Sequence, residues 1–414
     1  MTELTGNRWR RTACRIFPLL ISFPLLGGCW DRLELEERAV ILGVAVDDAE
    51  SGPAEEGDVT HMPDFEPAPE QPMYRLTVQI ALPGRIPLGP GGGGGGGGGT
   101  SKPSETVWIV GVTGHTIDDA MMNLQQKLSA PLFLGHLRVI VVSEKIARRG
   151  FSNLNDYLRR NPEVRRMAWM MISAGKAEEV IRTHPPLERV PTMYVISTLD
   201  NAARTGKFPQ TFAGMFWSNS SKKGQEGVLP YVRLKEEQTL EIAGLAMFRS
   251  DRMVASSSPL QIAAYMGIKH INPGGYRGIV QIGGDSLTIY STHRSSKIRV
   301  RIRDGQPAFT VDIGIEANVE EKSNESVSLS NETILRELEK IGGQSTQELY
   351  QGLVEKTQQY GSDIFGFGEY VRAKKPGFWN AQVKTKEKWQ RMYKEASIDV
   401  NLKIHIRRIG MKAE

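Results

Sequence analysis

The sequence predicts a multi-domain α+β fold: an N-terminal α/β domain, then a C-terminal antiparallel sheet packed with a long helix. Three patterns carry that expectation. In the first half, short apolar runs alternate with amphipathic helical stretches, the mark of strands joined by helical crossovers. In the second half, segments at 298–302, 309–319 and 398–406 alternate apolar and polar residues, as strands with one wet face do. Between the last two lies Glu332–Tyr360, where Ile334, Leu338, Ile341, Leu349 and Leu353 fall on one helical face. The 414 residues suffice for two or three compact domains, and 40% hydrophobic with 24% charged residues excludes disorder for most of the length.

Along the first half, residues 39–46 are a continuous apolar run and read as a buried strand. Residues 49–72 are acidic and proline-rich, a loop. The stretch 73–82 sets Tyr74, Leu76, Val78, Ile80 and Leu82 on one face of an amphipathic strand. Residues 83–104 hold nine consecutive glycines at 91–99 and form a flexible insertion. A phosphate-binding loop is excluded there, because Thr100-Ser101-Lys102-Pro103 follows in place of Gly-Lys-Ser/Thr opening a helix. A strand at 106–112 precedes Thr116-Ile-Asp-Asp119, a helix start with acids in its first turn. Further strands are expected at 137–142 and 167–172, with helices after Ser143, interrupted near Gly150, and over 176–182.

The expected domains are therefore 29–200, an α/β domain, then 201–230, a Gly-, Ser- and Asn-rich linker or surface excursion. A middle β-rich domain at 231–300 and a C-terminal α+β domain at 301–414 complete the chain. Gly342-Gly343 is expected to kink the long helix.

The N-terminus points to a compartment. Arg8, Arg10, Arg11 and Arg15 precede an eleven-residue apolar stretch at 16–26, a secretory signal too short to span a bilayer at roughly 20 residues. It ends in Leu26-Gly27-Gly28-Cys29, which resembles the bacterial lipobox. Small Gly27 and Gly28 fit the peptidase, and the Cys29 thiol carries the S-diacylglycerol, with an N-acyl group added after cleavage. Residues 1–28 are then the signal peptide. Cys14 leaves with it and Cys29 takes the lipid, so the mature chain keeps no free thiol. The formal charge of +5 falls to +2 once four arginines and Glu3 are gone, which speaks against nucleic acid as a partner.

Chemistry-bearing motifs are few. Two cysteines exclude a disulfide scaffold and Cys-rich zinc sites, and seven scattered histidines form no i, i+4 pair, so no metal and no cofactor are expected. No nucleophile motif is present, so no catalytic residue is assigned. His136 ahead of a buried strand reads as a structural histidine. The stripe Lys297, Arg299, Arg301 and Arg303 reads as a solvated strand face, with anionic lipid or an acidic partner as the functional alternative. Gly366 and Gly368 in Asp363-Ile-Phe-Gly-Phe-Gly-Glu369 suggest a C-cap and turn after the long helix. Trp379 and Trp389 read as core or docking aromatics.

Cys29-Trp30-Asp31, Glu34 and the run into Gly43 and Asp47 resemble the mature start of the Ger(x)C family of spore germination lipoproteins. Gly114-His-Thr-Ile117, Phe133, Gly135-His136, Glu144, Ala147, Gly150, Arg160-Asn-Pro-Glu163, Arg165, Leu187-Glu188 and Pro191 continue in that family's order. So do Gly244-Leu-Ala-Met-Phe248, Met253-Val254, the Asp363–Gly368 block, Pro376, Trp379, Trp389 and Gly410. The glycine run departs from the family pattern, and Ala255-Ser256 stands where a glycine is expected. The resemblance implies a non-enzymatic C subunit of a nutrient germinant receptor. It implies a lipid anchor on the outer face of the spore inner membrane and two membrane-embedded partners, the A and B subunits. The alternative is an extracytoplasmic solute-binding lipoprotein of an importer, which requires two similar α/β lobes around a cleft. A tethered hydrolase is disfavoured for want of a nucleophile–base pair.

Overall fold

A computed structural model describes residues 34–49, 73–82, 106–184, 188–236, 238–323, 329 and 331–408. The first sheet contains β1 (Ala39–Asp48), β2 (Tyr74–Ala81), β3 (Val107–Gly114), β4 (Leu132–Phe133), β5 (Val139–Ser143) and β6 (Trp169–Ser173). It is completed by β7 (Val228–Leu234), β8 (Leu240–Arg249) and β9 (Arg252–Ser256). Their order is β3-β2-β1-β5-β6-β7-β8-β9, with β4 beside one end of β1. β1, β5, β6 and β7 run parallel, and antiparallel strands flank them on both sides.

The continuous apolar runs follow from burial on both faces. Val44, Val46, Ile140, Val142, Met170 and Ile172 face one core, with α1 (Ile117–Gln126), α2 (Glu144–Arg149), α3 (Ser152–Arg160) and α6 (Ala213–Ser221). Ala45, Val139, Val141 and Met171 face the other, with α4 (Ala177–Arg182), α5 (Pro191–Arg204) and α7 (Pro259–Ile268). Thr116 starts α1 as its sequence suggests, its hydroxyl accepting from the Asp119 amide at 3.0 Å. The start of α7 is a full capping box, Ser258 and Gln261 exchanging bonds with each other's backbone and Pro259 in the first turn.

The second sheet has the order β10-β11-β12-β13, made from β10 (Arg277–Ile282), β11 (Asp285–Arg303), β12 (Gln306–Lys322) and β13 (Ser397–Arg408). It is antiparallel through β12, as expected, and β13 then joins β12 in parallel. Between them the chain passes through α8 (Glu332–Tyr360), α9 (Phe367–Lys374), helical turns over Pro376–Val383, and α10 (Lys386–Glu395). A crossover of that kind returns the chain to the sheet in the same direction. Period-two alternation reports a wet face and not a direction, so the sequence pattern could not show it. α8 runs unbroken through Gly342-Gly343, and Gly342 is buried against Val280, Ile289 and Ile404.

Two expected segments differ in the structure. Residues 201–230 are not a linker: they hold the end of α5, the helix α6 with Phe216 and Trp217 buried, and the entry to β7. Residues 231–300 are not a separate body. β8 and β9 complete the first sheet, β10 and β11 open the second, and β11 continues past residue 300. The turn before β9 is Ser250-Asp251, so Ala255-Ser256 lie within the strand.

One device sets the geometry of the second sheet. Leu287 and Ile289 face the core at odd positions, and Arg294, Ile298 and Val300 do so at even ones, because β11 carries a bulge between Ser291 and His293. The bulge turns Arg294 inward, where it is 1% exposed. Its guanidinium donates to the carbonyls of Ile271 at 3.0 Å, Pro273 at 3.1 Å, Gly274 at 2.7 Å and Gly206 at 3.4 Å. The Asn272 amide exchanges bonds with the Arg294 backbone at 2.8 and 2.9 Å, extending the sheet with a side chain. A buried cation held by carbonyl dipoles leaves those carbonyls stranded when it is removed. Arg294→Ala is expected to cost about 3 kcal/mol in urea unfolding. A loss below about 1 kcal/mol would contradict this role.

Candidate functional site

A polar cleft of about 600 Å³ opens at the carboxyl ends of the parallel strands. β1 turns away toward β2 on one side and β5 lies on the other, a topological switch point where open α/β sheets place ligands. Asp47 and Asp48 from β1, Ser143 from β5, Gly175 and Lys176 after β6, and Arg75 from β2 line it. Asp47 is buried, and its carboxylate accepts from the Ala177 amide at 2.7 Å and the Glu178 amide at 2.9 Å at the start of α4. Burial raises the Asp47 pKa, and those two amide bonds oppose the rise. Asp48 pairs with Lys145 and, at 2.6 Å, with Arg149, while Arg75 meets Glu178 at 3.4 Å. Tyr231 donates to Glu144 at 2.5 Å, and burial, aided by that carboxylate, pushes its phenol up to about 12. The carboxylates here are thus engaged by the protein's own amides, cations and phenol. Among the described residues, no group of three His, Cys, Asp or Glu side chains is placed to hold a metal ion.

A second cleft, about 340 Å³, lies between α7, α8 and the inner face of the second sheet. Its walls include Leu260, Val280, Ile289 and Leu349, with Ile279 at the mouth 71% exposed. The Tyr276 and Tyr350 hydroxyls at its wall donate to backbone carbonyls of Lys207 and Ala263 at 2.6 and 3.1 Å. It is shaped for apolar contact, not for polar chemistry.

The densest polar arrangement lies in neither cleft. Asp363, 1% exposed, sits between the C-terminal end of α8 and the start of α9. One carboxylate oxygen accepts from the amides of Gly366 at 2.8 Å and Phe367 at 3.1 Å. The other accepts from the Gly368 amide at 2.8 Å and the Trp389 indole at 2.9 Å. Burial pushes the carboxyl up to about 6, and the bonds from Gly368, Phe367, Trp389 and Gly366 oppose that rise. Gly361, at φ +65°, ends α8, and Gly366, at φ +81°, opens α9.

This knot is also the seam with the first sheet. Glu226, just before β7, donates its amide to the Asp363 carbonyl at 2.8 Å. Its buried carboxylate accepts from Lys386 at 2.8 Å, Gln390 at 2.6 Å and the Ser250 amide at 2.9 Å. Gly224 lies flat against Gly368, and a Cβ on Gly368 would sit 2.5 Å from Gly224 Cα and 2.6 Å from the Trp389 ring. Glycine is needed here for backbone-to-backbone contact and not for flexibility.

Residues 31–234 match the family described as "Spore germination protein N-terminal domain". Residues 243–410 match "Spore germination B3/ GerAC like, C-terminal". The chain belongs to the Ger(x)C family of spore germination proteins. Similar relatives include spore germination protein KC of Bacillus subtilis (strain 168), 24% identical over 95% of each chain. Spore germination protein GerQC of Bacillus cereus is 26% identical over 73% of this chain and 83% of its own. The crystal structure of the GerBC protein shares the fold, with TM-score 0.53 at 18% identity over 88% of this chain and 97% of that one.

The Ger(x)C motifs now have places. Leu26, Gly27, Gly28 and Cys29, and the glycines at 91–99, lie outside the described residues. His136 packs edge-on against Phe133 with centroids 5.8 Å apart. Trp379 and Trp389 are buried with centroids 5.9 Å apart, and the Trp389 indole donates to Asp363. The Asp363–Gly368 block, read as a C-cap and turn, does turn the chain between α8 and α9, but the C-cap is Gly361, Gly366 opens α9, and the block also holds the buried Asp363 carboxylate. Sequence reasoning passed over Glu226, Lys386 and Arg294, whose partners are all distant along the chain. Asp363→Asn sets an amide donor against the Gly368 and Trp389 donors, and the expected cost in urea unfolding is about 3 kcal/mol. The exposed Arg160–Asp156 pair is the contrast: Arg160→Ala should leave the urea midpoint essentially unchanged. Equal small losses in both variants would show that the Asp363 site carries no special weight.

Proposed function

We propose that this chain is the non-enzymatic, lipid-anchored C subunit of a nutrient germinant receptor, required for nutrient-triggered spore germination. The family match across both halves carries the reading. Relatives named spore germination protein KC and spore germination protein B3 align along almost the whole chain. Its partners are the membrane-embedded A and B subunits, and its station is the outer face of the spore inner membrane. Among the described residues no helix is long and apolar enough to cross a membrane. The proposed attachment is Cys29 in the Leu26-Gly27-Gly28-Cys29 lipobox, where two or three acyl chains at roughly 0.8 kcal/mol per buried methylene would hold firmly. A non-enzymatic role suits a cleft whose carboxylates are already bonded within the protein. The importer reading is not favoured, since the two halves are a nine-stranded mixed sheet and a four-stranded one, not similar lobes.

Two measurements check this. Spores lacking the protein, in a background without paralogous receptors, should keep their refractility when nutrients are added. Germination at the normal rate with every nutrient would overturn the receptor role. Cys29→Ala, expressed without the other subunits, should move from the membrane to the soluble fraction. Retention in the membrane would overturn the anchor while leaving the receptor role standing.

A further inference from the structure

The four-stranded sheet treats its two edges differently. Along β13, side chains of α8 bond the outward-facing backbone. Gln351 donates to the Ile398 carbonyl at 3.2 Å and accepts from the Val400 amide at 3.3 Å. Gln347 accepts from the Leu402 amide at 3.4 Å, and Glu339 accepts from the Ile406 amide at 2.8 Å. That edge is closed to another strand.

The β11 edge is closed only in its first part. β10 pairs with residues 285–290, the Gly274 and Gly275 amides bond the Thr292 and Ser291 carbonyls, and Asn272 bonds Arg294. From Lys297 to Arg303, among the described residues, the backbone bonds only to β12. Alternate amides and carbonyls there face outward, a template for one more strand.

The side chains say which strand. Lys297, Arg299, Arg301 and Arg303 are all exposed on the outer face of the sheet. Arg299 pairs with Asp312 at 2.5 Å, and the other three have no carboxylate partner among the described residues. On the opposite face Ile298, Val300 and Ile302 are only half-buried. An incoming strand with acidic residues toward the first face and apolar residues toward the second would match both.

We propose that the β11 edge from Lys297 to Arg303 docks an extended segment of a partner protein in which acidic and apolar residues alternate, added as a fifth strand. A second copy of this chain does not fit, because pairing β11 with itself sets cations against cations. An anionic lipid surface would answer the charges, yet it would leave the edge amides unpaired and Ile298, Val300 and Ile302 no better covered.

The test uses the full chain in detergent and a fluorescent peptide of alternating Glu and Val, long enough to span Lys297–Arg303. Saturable binding is expected, weakening about tenfold or more as salt is raised. The same peptide N-methylated at alternate amides should not bind. The double variant Lys297→Glu with Arg301→Glu should lose binding at least about tenfold and gain binding to the matching Lys-Val peptide, which also shows that it folds. No binding to the native chain would overturn the proposal and leave the cations as guards against aggregation. Equal binding of the N-methylated peptide would also overturn it. So would capture by phosphatidylglycerol vesicles, lost in the double variant, with no binding of the peptide.

Discussion

The Asp363 carboxylate is the point on which the two halves of the molecule depend. Four N–H donors converge on it, three from the start of α9 and one from Trp389 on α10. It thereby fixes where α9 begins and how α10 packs. The Asp363 carbonyl is bonded by the Glu226 amide, and Glu226 reaches Lys386, Gln390 and Ser250. A single buried anion so ties the crossover helices of the second sheet to the leading edge of β7 in the first. Burying a charge is costly, and it persists here because its oxygens are fully occupied. The group is 1% exposed, and its Trp389 partner packs against Phe309 and Tyr393, so water has little access to those bonds.

This seam makes the two sheets one packed body. The two sheets share one continuous hydrophobic core in which Val139 and Met171 of the first belong with Val311 and Val400 of the second. The polar cleft at the ends of β1 and β5, the apolar cleft beneath α8 and the open β11 edge all belong to one framework. The chain's family places it in spore germination.

Much of the fold was legible in the sequence. β1, β5 and β6 read as buried strands because both faces of a helix-covered sheet are apolar, and β11 to β13 read by alternation because one face is wet. What escaped has physical reasons. Gly224 to Gly227 looked like a linker, since a single sequence does not distinguish glycine used for freedom from glycine used for close approach. The bulge at Ser291 and His293 left a trace, the shift from odd apolar positions at 287 and 289 to even ones at 298 and 300. The capping box Ser258-Pro259-Leu260-Gln261 was likewise a visible signal for α7. The parallel entry of β13 was not visible, because strand direction comes from the connection. Of the site, the Asp363 block showed its glycines but not its anion, whose partners Trp389 and Glu226 lie 26 and 137 residues away. Arg294 was hidden in the same way, bonding carbonyls as far off as Gly206.

Scanning calorimetry of the protein tests the shared seam most directly. If the Asp363 site and the common core join the halves, one transition is expected, with calorimetric and van't Hoff enthalpies in agreement. Two separable transitions, each with the enthalpy of one sheet and its helices, would contradict the account.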